Sequence, residues 1–251
     1  MKNLLDFTGK VVLITGGSRG LGKTMALGFA EQGADIAVSS RKIESCEKTA
    51  DKIRTLGRKA FAYACHVGHW DELEGLADSV YNHFGRVDVL INNAGMSPIA
   101  PSLFETSEAL LDRVIGVNFK GPFRLSALVG SRMAAGAGGC IINISSRAAV
   151  SPTAQTAVYG GAKAALNTIT RAFAYEYGPK VRVNCIQCGP FHTDISKGWS
   201  MSEEFAARAK VTIALQRAGD PKEIVSTALY LASDATSFTT GAVIRVDGGS
   251  P

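Results

Sequence analysis

The chain has 251 residues, 46% hydrophobic and 20% charged, with a formal net charge of +5. That length suits one large α/β domain or two small ones, and the composition is ordinary for a soluble globular protein. No apolar run approaches the length needed to cross a bilayer. The Lys and Arg residues are scattered, with no run of five or six, so a solvated surface is preferred to nucleic-acid binding.

The opening MKNLLDFTGK has too short an apolar stretch for a signal peptide, and Asp6 interrupts it. A cytoplasmic protein, neither spanning nor bound to a membrane, is expected. The five cysteines are an odd, scattered set, which excludes a disulfide framework. Cys185 and Cys188 form a CxxC, but no second pair accompanies it. In a strand, residues three apart point to opposite faces, so a structural role is expected and no metal site.

In chain order, VVLIT (11–15) is a Val- and Ile-rich run that reads as a buried strand. It runs through TGGSRGLGKT into the helical stretch LGKTMALGFAEQG. Glycines 16, 20 and 22 give G-x-x-x-G-x-G. Such a turn lets backbone approach a pyrophosphate, and the helix N-terminus offers free N–H groups. The residues expected to cradle a dinucleotide here are Gly16, Ser18, Arg19, Gly20, Leu21 and Gly22.

DIAVSS (35–40) reads as the second strand and leads into Ser40-Arg41-Lys42. A carboxylate in this place would take the adenosine ribose of NAD and repel a 2′-phosphate, whereas an arginine pairs with that phosphate. Arg19 can converge on the same group. NADP(H) is therefore the preferred cofactor, with NAD(H) possible.

After the helix ESCEKTADKIRTLG comes a third strand, KAFAYA (59–64), then the helix DELEGLADSVYNHFG. The fourth strand, VDVLIN (87–92), ends in NNAG (92–95). Residues 107–134 are expected to form one helix. In it Pro122 cannot donate to the carbonyl of Asn118, which leaves that carbonyl able to hold a proton-relaying water. The fifth strand, CIINIS (140–145), ends at Ser145-Ser146, the edge where α/β sheets bind ligands.

Next comes YGGAK (159–163), on a helix expected over 156–178. Residues four apart share a helix face, about 5–6 Å from each other. Tyr159 and Lys163 therefore stand side by side with only small residues between. A lysine ammonium is expected to lower the tyrosine pKa from its usual ~10 towards the range of a general acid/base. VRVNCI (181–186) and AVIRVD (242–247) read as the last strands. Between them, 191–217 is a candidate substrate lid, with Trp199 its best pocket residue, and Asp220-Pro221 opens a further helix. Strand–helix alternation implies a single doubly wound Rossmann-type α/β domain over 1–251, with about seven parallel strands and helices on both faces.

TGGSRGLG, NNAG, Asn118, ISS and YGGAK, in this order and spacing, resemble the short-chain dehydrogenase/reductase family, and the branch with the 3-oxoacyl carrier-protein reductases most closely. The resemblance covers essentially the whole chain. It implies Tyr159 as acid/base, Lys163 as holder of the nicotinamide ribose, Ser146 as the substrate-orienting serine, and Asn118 as the fourth member of the set. It also implies that Asn93, Ala94, Gly95, Gly189, Phe191 and Thr193 line the cofactor. Two departures stand out. His66-Val67 replaces the family's Asp-Val at the adenine, and Cys188 replaces the proline before Gly189.

The activity implied is hydride transfer between a nicotinamide and a carbonyl or secondary alcohol, on a small molecule with an apolar part. The alternative is a non-catalytic dinucleotide sensor or scaffold on the same fold, which has no need of the full set of four. The helices at 107–134 and 156–178 carry more apolar residues than one core-facing stripe needs, among them Leu111, Phe123, Leu128, Phe173 and Tyr175. The resemblance implies that they assemble a homotetramer.

Overall fold

The seven apolar runs become seven strands: β1 (Val11–Thr15), β2 (Asp35–Ser40), β3 (Ala60–Ala64), β4 (Val89–Asn92), β5 (Gly139–Ser146), β6 (Val181–Cys188) and β7 (Val243–Val246). The computed structural model describes residues 4–194 and 196–250. All strand pairings are parallel, in the order β3-β2-β1-β4-β5-β6-β7. The connection direction reverses between β1 and β4. A crevice suited to a ligand therefore opens there, outside the C-terminal strand ends.

The strands read as continuous apolar runs because both sheet faces are covered. Along β1, Val12 and Ile14 face one core and Leu13 the other. The first core is roofed by α1 (Gly20–Glu31), α2 (Ile43–Thr55) and a later helix, Glu223–Ala232. The second is roofed by α3 (Glu72–Phe84) and by helices at Gly121–Ala135 and Ala157–Tyr177. This is the doubly wound α/β class expected.

The helix expected over 107–134 is interrupted. Ser107 caps α4 (Glu108–Ile115), accepting from the Leu110 N–H. A π-helical turn follows over Gly116–Lys120, then α5 (Gly121–Ala135). Pro122 has no N–H with which to close the usual turn on residue 118. The backbone widens instead, and the Gly121 N–H reaches the Gly116 carbonyl, five residues back. α6 (Ala157–Tyr177) carries YGGAK in its first turns.

The 191–217 segment folds as α7 (Lys197–Ser200) and α8 (Glu203–Thr212), and Glu223–Ala232 is then α9. Ile195 lies outside the described residues. α8 has a small core of its own: Phe205, Ala209, Ile213 and Ala218. Phe205 is thus a packing residue. Trp199 meets it edge-on at 5.1 Å and stays 42% exposed.

The apolar residues assigned to assembly divide. Leu128 packs partly against the second core, whose buried members on the same helix include Leu125 and Val129. Phe173 is also buried, against Phe123 at 5.3 Å and Tyr177 at 5.6 Å, so a charge there would disturb the subunit itself. Leu111, Phe123 and Tyr175 remain exposed, and the half-exposed Trp70 lies 6.5 Å from Phe123. No helix among the described residues is long and apolar enough to cross a membrane.

Candidate active site

The site is assembled from loops leaving the C-terminal ends of neighbouring strands. After β1 the chain turns at Gly16, whose φ of +65° favours glycine. A Cβ there would stand 2.8 Å from Asn93 Nδ2. α1 then begins with Arg19 in extended conformation, its side chain making no cap hydrogen bond, and with no acidic residue in the first turn. Neither a side-chain cap nor a local carboxylate competes for the first-turn N–H groups. This fits the phosphates of a dinucleotide.

Ser18 Oγ donates to Ser40 Oγ at 3.0 Å, which joins the glycine loop to the end of β2. Arg19 and Arg41 are both exposed, and neither has an ion-pair partner among the described residues. Leu21 packs partly into the first core. On the far side, a Cβ on Gly20 would lie 3.6 Å from Thr193 Cβ, so Thr193 borders the glycine loop.

At β4 the NNAG residues serve mainly as joints. Asn93 Nδ2 donates to the Thr15 and Gly16 carbonyls at 3.0 and 3.2 Å. The Asn93 and Ala94 N–H groups both donate to Thr15 Oγ1 at 3.1 Å. Asn93 Nδ2 is therefore committed to the β1 turn. Gly95 lies deeper. A Cβ there would come within 3.1 Å of Asn118 Oδ1 and 3.7 Å of Lys163 Nζ. Only glycine leaves that space open.

Asn118 is fully buried. Its Oδ1 accepts from the Met96 N–H at 3.2 Å, and its Nδ2 donates to the Met96 and Val114 carbonyls at 2.9 and 3.0 Å. Both amide protons are used, so the side chain acts as a clamp between the β4 loop and the α4–α5 joint. Any relay through this residue belongs to its backbone.

β5 separates its two terminal serines by the pleat. Ser145 is buried and donates to the Lys163 carbonyl at 3.3 Å. Ser146 points outward, accepts from the Ala148 N–H at 3.2 Å and hydrogen-bonds the Tyr159 phenol. Of the two serines, Ser146 is the one beside Tyr159. Lys163 is 3% exposed, and its Nζ donates to the Ile144 carbonyl at 2.7 Å while standing 5.8 Å from the Tyr159 ring centre. Ser146, Tyr159 and Lys163 converge as expected.

Their protonation differs from the expectation. Burial pushes Lys163 down to about 8 and Tyr159 up to about 12, with the Ser146 bond pulling only weakly the other way. Burial is the dominant influence on both groups.

Other assignments shift. Phe191 turns its ring into the first core, packed on Gly219. Its carbonyl accepts from Ser196 Oγ. Gly189 is needed because a Cβ would strike Asp247 Cα at 2.5 Å. Val67 is buried in the second core beside Gly121. Cys185 and Cys188 are buried and free, and burial pushes both thiols up to about 12. The sequence reading missed Thr15, and it missed a buried chain of polar groups. Asn92 Nδ2 donates to Ser126 Oγ and Asn143 Oδ1, and Asn143 Nδ2 to Thr170 Oγ1, each at 2.9 Å. The signal was available: a polar residue set inside each apolar strand run.

A family model described as "Enoyl-(Acyl carrier protein) reductase" matches residues 16–250. The chain is 35% identical over 246 residues to 7α-hydroxysteroid dehydrogenase of Escherichia coli strain K12, covering 98% of this chain and 95% of that one. A solved 7α-hydroxysteroid dehydrogenase, complexed with NADH and 7-oxo glycochenodeoxycholic acid, superposes with a TM-score of 0.94 at 35% identity over 100% of this chain and 98% of the other. A structure from Beutenbergia cavernae, described as a candidate NAD(P)-dependent gluconate 5-dehydrogenase with bound NADP, gives a TM-score of 0.93 at 31% identity over 98% of each chain.

The Lys163 shift has a measurable sign. In the ligand-free protein one lysine should titrate near pH 8, charged below and neutral above, far from the ordinary 10.5. Side-chain NMR of ¹³C-lysine-labelled protein checks it: the signal should vanish in Lys163→Met. Titration of every lysine above pH 10 would contradict the burial.

Proposed function

Because the chain belongs to the short-chain dehydrogenase/reductase family, we propose that it is an NADP(H)-dependent oxidoreductase acting on a carbonyl or secondary-alcohol substrate with an apolar part. The observation that carries this reading is the convergence of Ser146, Tyr159 and Lys163 at the end of β5, beside the space that Gly95 keeps open. A nicotinamide dinucleotide, when bound, supplies the hydride donor or acceptor. The chain supplies the proton and the positioning.

In the reducing direction the phenol of Tyr159 gives its proton to the carbonyl oxygen as charge gathers there, and in the oxidising direction it takes it back. Its raised pKa keeps it protonated and ready to donate. Ser146, already bonded to that phenol, holds the same oxygen. Lys163 has three N–H donors. One goes to Ile144, and two remain for a ribose. An anionic ligand nearby favours the charged form of Lys163, which then acts on Tyr159 as the sequence suggests. The Asn118 backbone, within the π turn, is the place for a relay to Lys163.

Arg19 and Arg41 flank the joined Ser18–Ser40 pair, and no carboxylate stands at the end of β2 to oppose a 2′-phosphate. This supports NADP(H). The relatives carry both coenzymes: one neighbour is complexed with NADH and another holds NADP. On the substrate side, Ile99, Val150, Trp199 and Met201 are exposed apolar residues on the segments that follow β4, β5 and β6. These segments all follow the C-terminal ends of strands, which supports the one containing α7 and α8 as a lid. That one relative is named for a hydroxysteroid supports a bulky apolar alcohol or ketone.

Turnover with NADPH and a panel of cyclic and steroid ketones tests the reading. Tyr159→Phe should bind NADPH as the parent does and lose roughly a hundredfold or more in kcat. Turnover near the parent level would remove Tyr159 from its role.

Coenzyme choice has its own readout. Arg41→Ala removes a charged hydrogen bond of roughly 1.5–3 kcal/mol, so the Kd for NADPH should rise about ten- to a hundredfold while that for NADH stays put. Equal losses would show that Arg41 reads no 2′-phosphate.

Assembly as a homotetramer completes the proposal. Leu111, Phe123, Tyr175 and Trp70 are left exposed across α4, α5, α6 and the turn before α3, and such exposed apolar side chains support a partner there. Sedimentation at micromolar concentration should give four chains, and Phe123→Glu with Tyr175→Glu should split them. A monomeric parent would refute the assembly.

A further inference from the structure

At the end of the sheet opposite the crevice, the segments that enter β4 and β5 border a cavity of about 330 Å³. Val87 precedes β4, Gly136 and Ala137 precede β5, and Tyr81, Arg86 and Arg132 extend the wall. The C-terminal ends of α3 and α5 both meet it. The volume lies at the lower end of the range for pockets that take small organic ligands, and is far more than a single water fills.

The carbonyls that these helix ends bring to the cavity are already occupied. The Tyr81 carbonyl accepts from the Gly85 N–H at 2.7 Å, and the Arg132 and Met133 carbonyls both accept from the Gly136 N–H at 3.1 Å. The Gly136 carbonyl accepts from Lys180 Nζ at 3.2 Å. A bare helix C-terminus attracts a cation, but here glycine N–H groups and an ammonium have taken that place. The donors are in the opposite condition. The N–H groups of Arg86, Val87 and Ala137 have no acceptor among the described residues, although Val87 is only 4% exposed. The Tyr81 hydroxyl has no partner among them either, and burial raises it above its ordinary pKa, which keeps it protonated.

Charge points the same way. Arg132 pairs with Asp78 and lies over the Tyr81 ring, 4.9 Å from its centre. Arg86 pairs with Asp88, which Lys10 also approaches at 3.7 Å. With Lys180 on the rim, four cations share two carboxylates. In each guanidinium a single nitrogen carries the ion pair, so the other N–H groups of the fork remain uncommitted among the described residues. A planar fork of this kind matches the edge of a carboxylate or a phosphate.

We propose that this cavity binds a small organic dianion, a dicarboxylate or a phosphate ester, held by the free forks of Arg86 and Arg132 and by the unpaired main-chain N–H groups beside them. Each uncommitted group named above can donate, so an acceptor-rich ligand satisfies several of them at once, whereas a cation meets only donors and like charge. The site does not depend on the proposed dinucleotide site, which lies at the other end of the strands.

Calorimetry on the purified protein at low ionic strength tests it, with succinate and glycerol 3-phosphate as probes, each without and with saturating NADPH. Low salt is required because both arginines are partly exposed and would be screened. The parent should bind at least one probe saturably, one per chain, and NADPH should leave that affinity unchanged. The stronger probe tells whether carboxylate or phosphate is preferred. Arg86→Gln, and Arg132→Lys, which keeps the charge but removes the fork, should each weaken binding about tenfold or more, the scale of one charged hydrogen bond. In the unaltered protein the Tyr81 ring resonances, identified by their loss in Tyr81→Phe, should shift as the probe is added. No saturable binding of either probe at millimolar concentration, with Tyr81 signals unmoved, would overturn the site. So would variants that bind as the parent does, or displacement of the probe by NADPH, which would assign it to the crevice.

Discussion

An ammonium group buried to 3% exposure sets the terms for the catalytic end of this molecule. Taking that charge out of water is costly unless hydrogen bonds replace the lost hydration. The partner supplied is the Ile144 carbonyl, on the last turns of the pleat of β5. Ser145 then bonds the Lys163 carbonyl, so side chain and backbone of one lysine are both tied to one strand end. Once that joint is made, strand geometry does the rest. Ser145 faces in, Ser146 faces out, and the residue four before Lys163 on α6 must stand beside Ser146. The arrangement follows from one buried cation and two periodicities.

The crevice next to this joint is held by side chains that react with nothing. Thr15 Oγ1 gathers two N–H groups from the β4 loop, and Asn93 returns two bonds to the β1 turn. Asn118 closes the opposite side on Met96. Below, the Asn92–Asn143–Thr170 chain crosses from β4 through β5 to α6. Each such bond contributes only about 1 kcal/mol net, but a buried polar group left unpaired costs roughly 1–3. The network therefore acts by penalising every other register. A slip of β4 against β5 would orphan Asn92 and Asn143 together, and the position of Gly95 with them.

Much of this was legible in the chain. Seven apolar runs separated by helical stretches, with glycine at 16 and 20, are enough for the doubly wound fold. Tyr159 and Lys163 share a helix face by spacing alone. What spacing cannot reveal is how a side chain spends its hydrogen bonds. Asn93 and Asn118 are as polar as any ligand-binding residue, yet both are consumed by neighbouring backbone. The π turn at 116–120 was hidden because a proline shows which bond is lost, not how the helix absorbs the loss. The direction of the Tyr159 and Lys163 shifts depends on burial, which adjacency does not report. Phe173 looked like surplus apolar surface until Phe123 and Tyr177 were found on it.

The two ends of the crevice are built on opposite principles. At the catalytic end the groups are buried, mutually bonded and backed by strand ends, so a change there disturbs packing as well as chemistry. At the adenosine end Arg19, Arg41 and His69 stand largely in solvent, anchored only by short local bonds such as those of Glu72. Exposed substitutions usually alter stability by no more than about 0.5 kcal/mol. On the proposed reading, residues that choose the coenzyme can therefore vary without endangering those that move the proton.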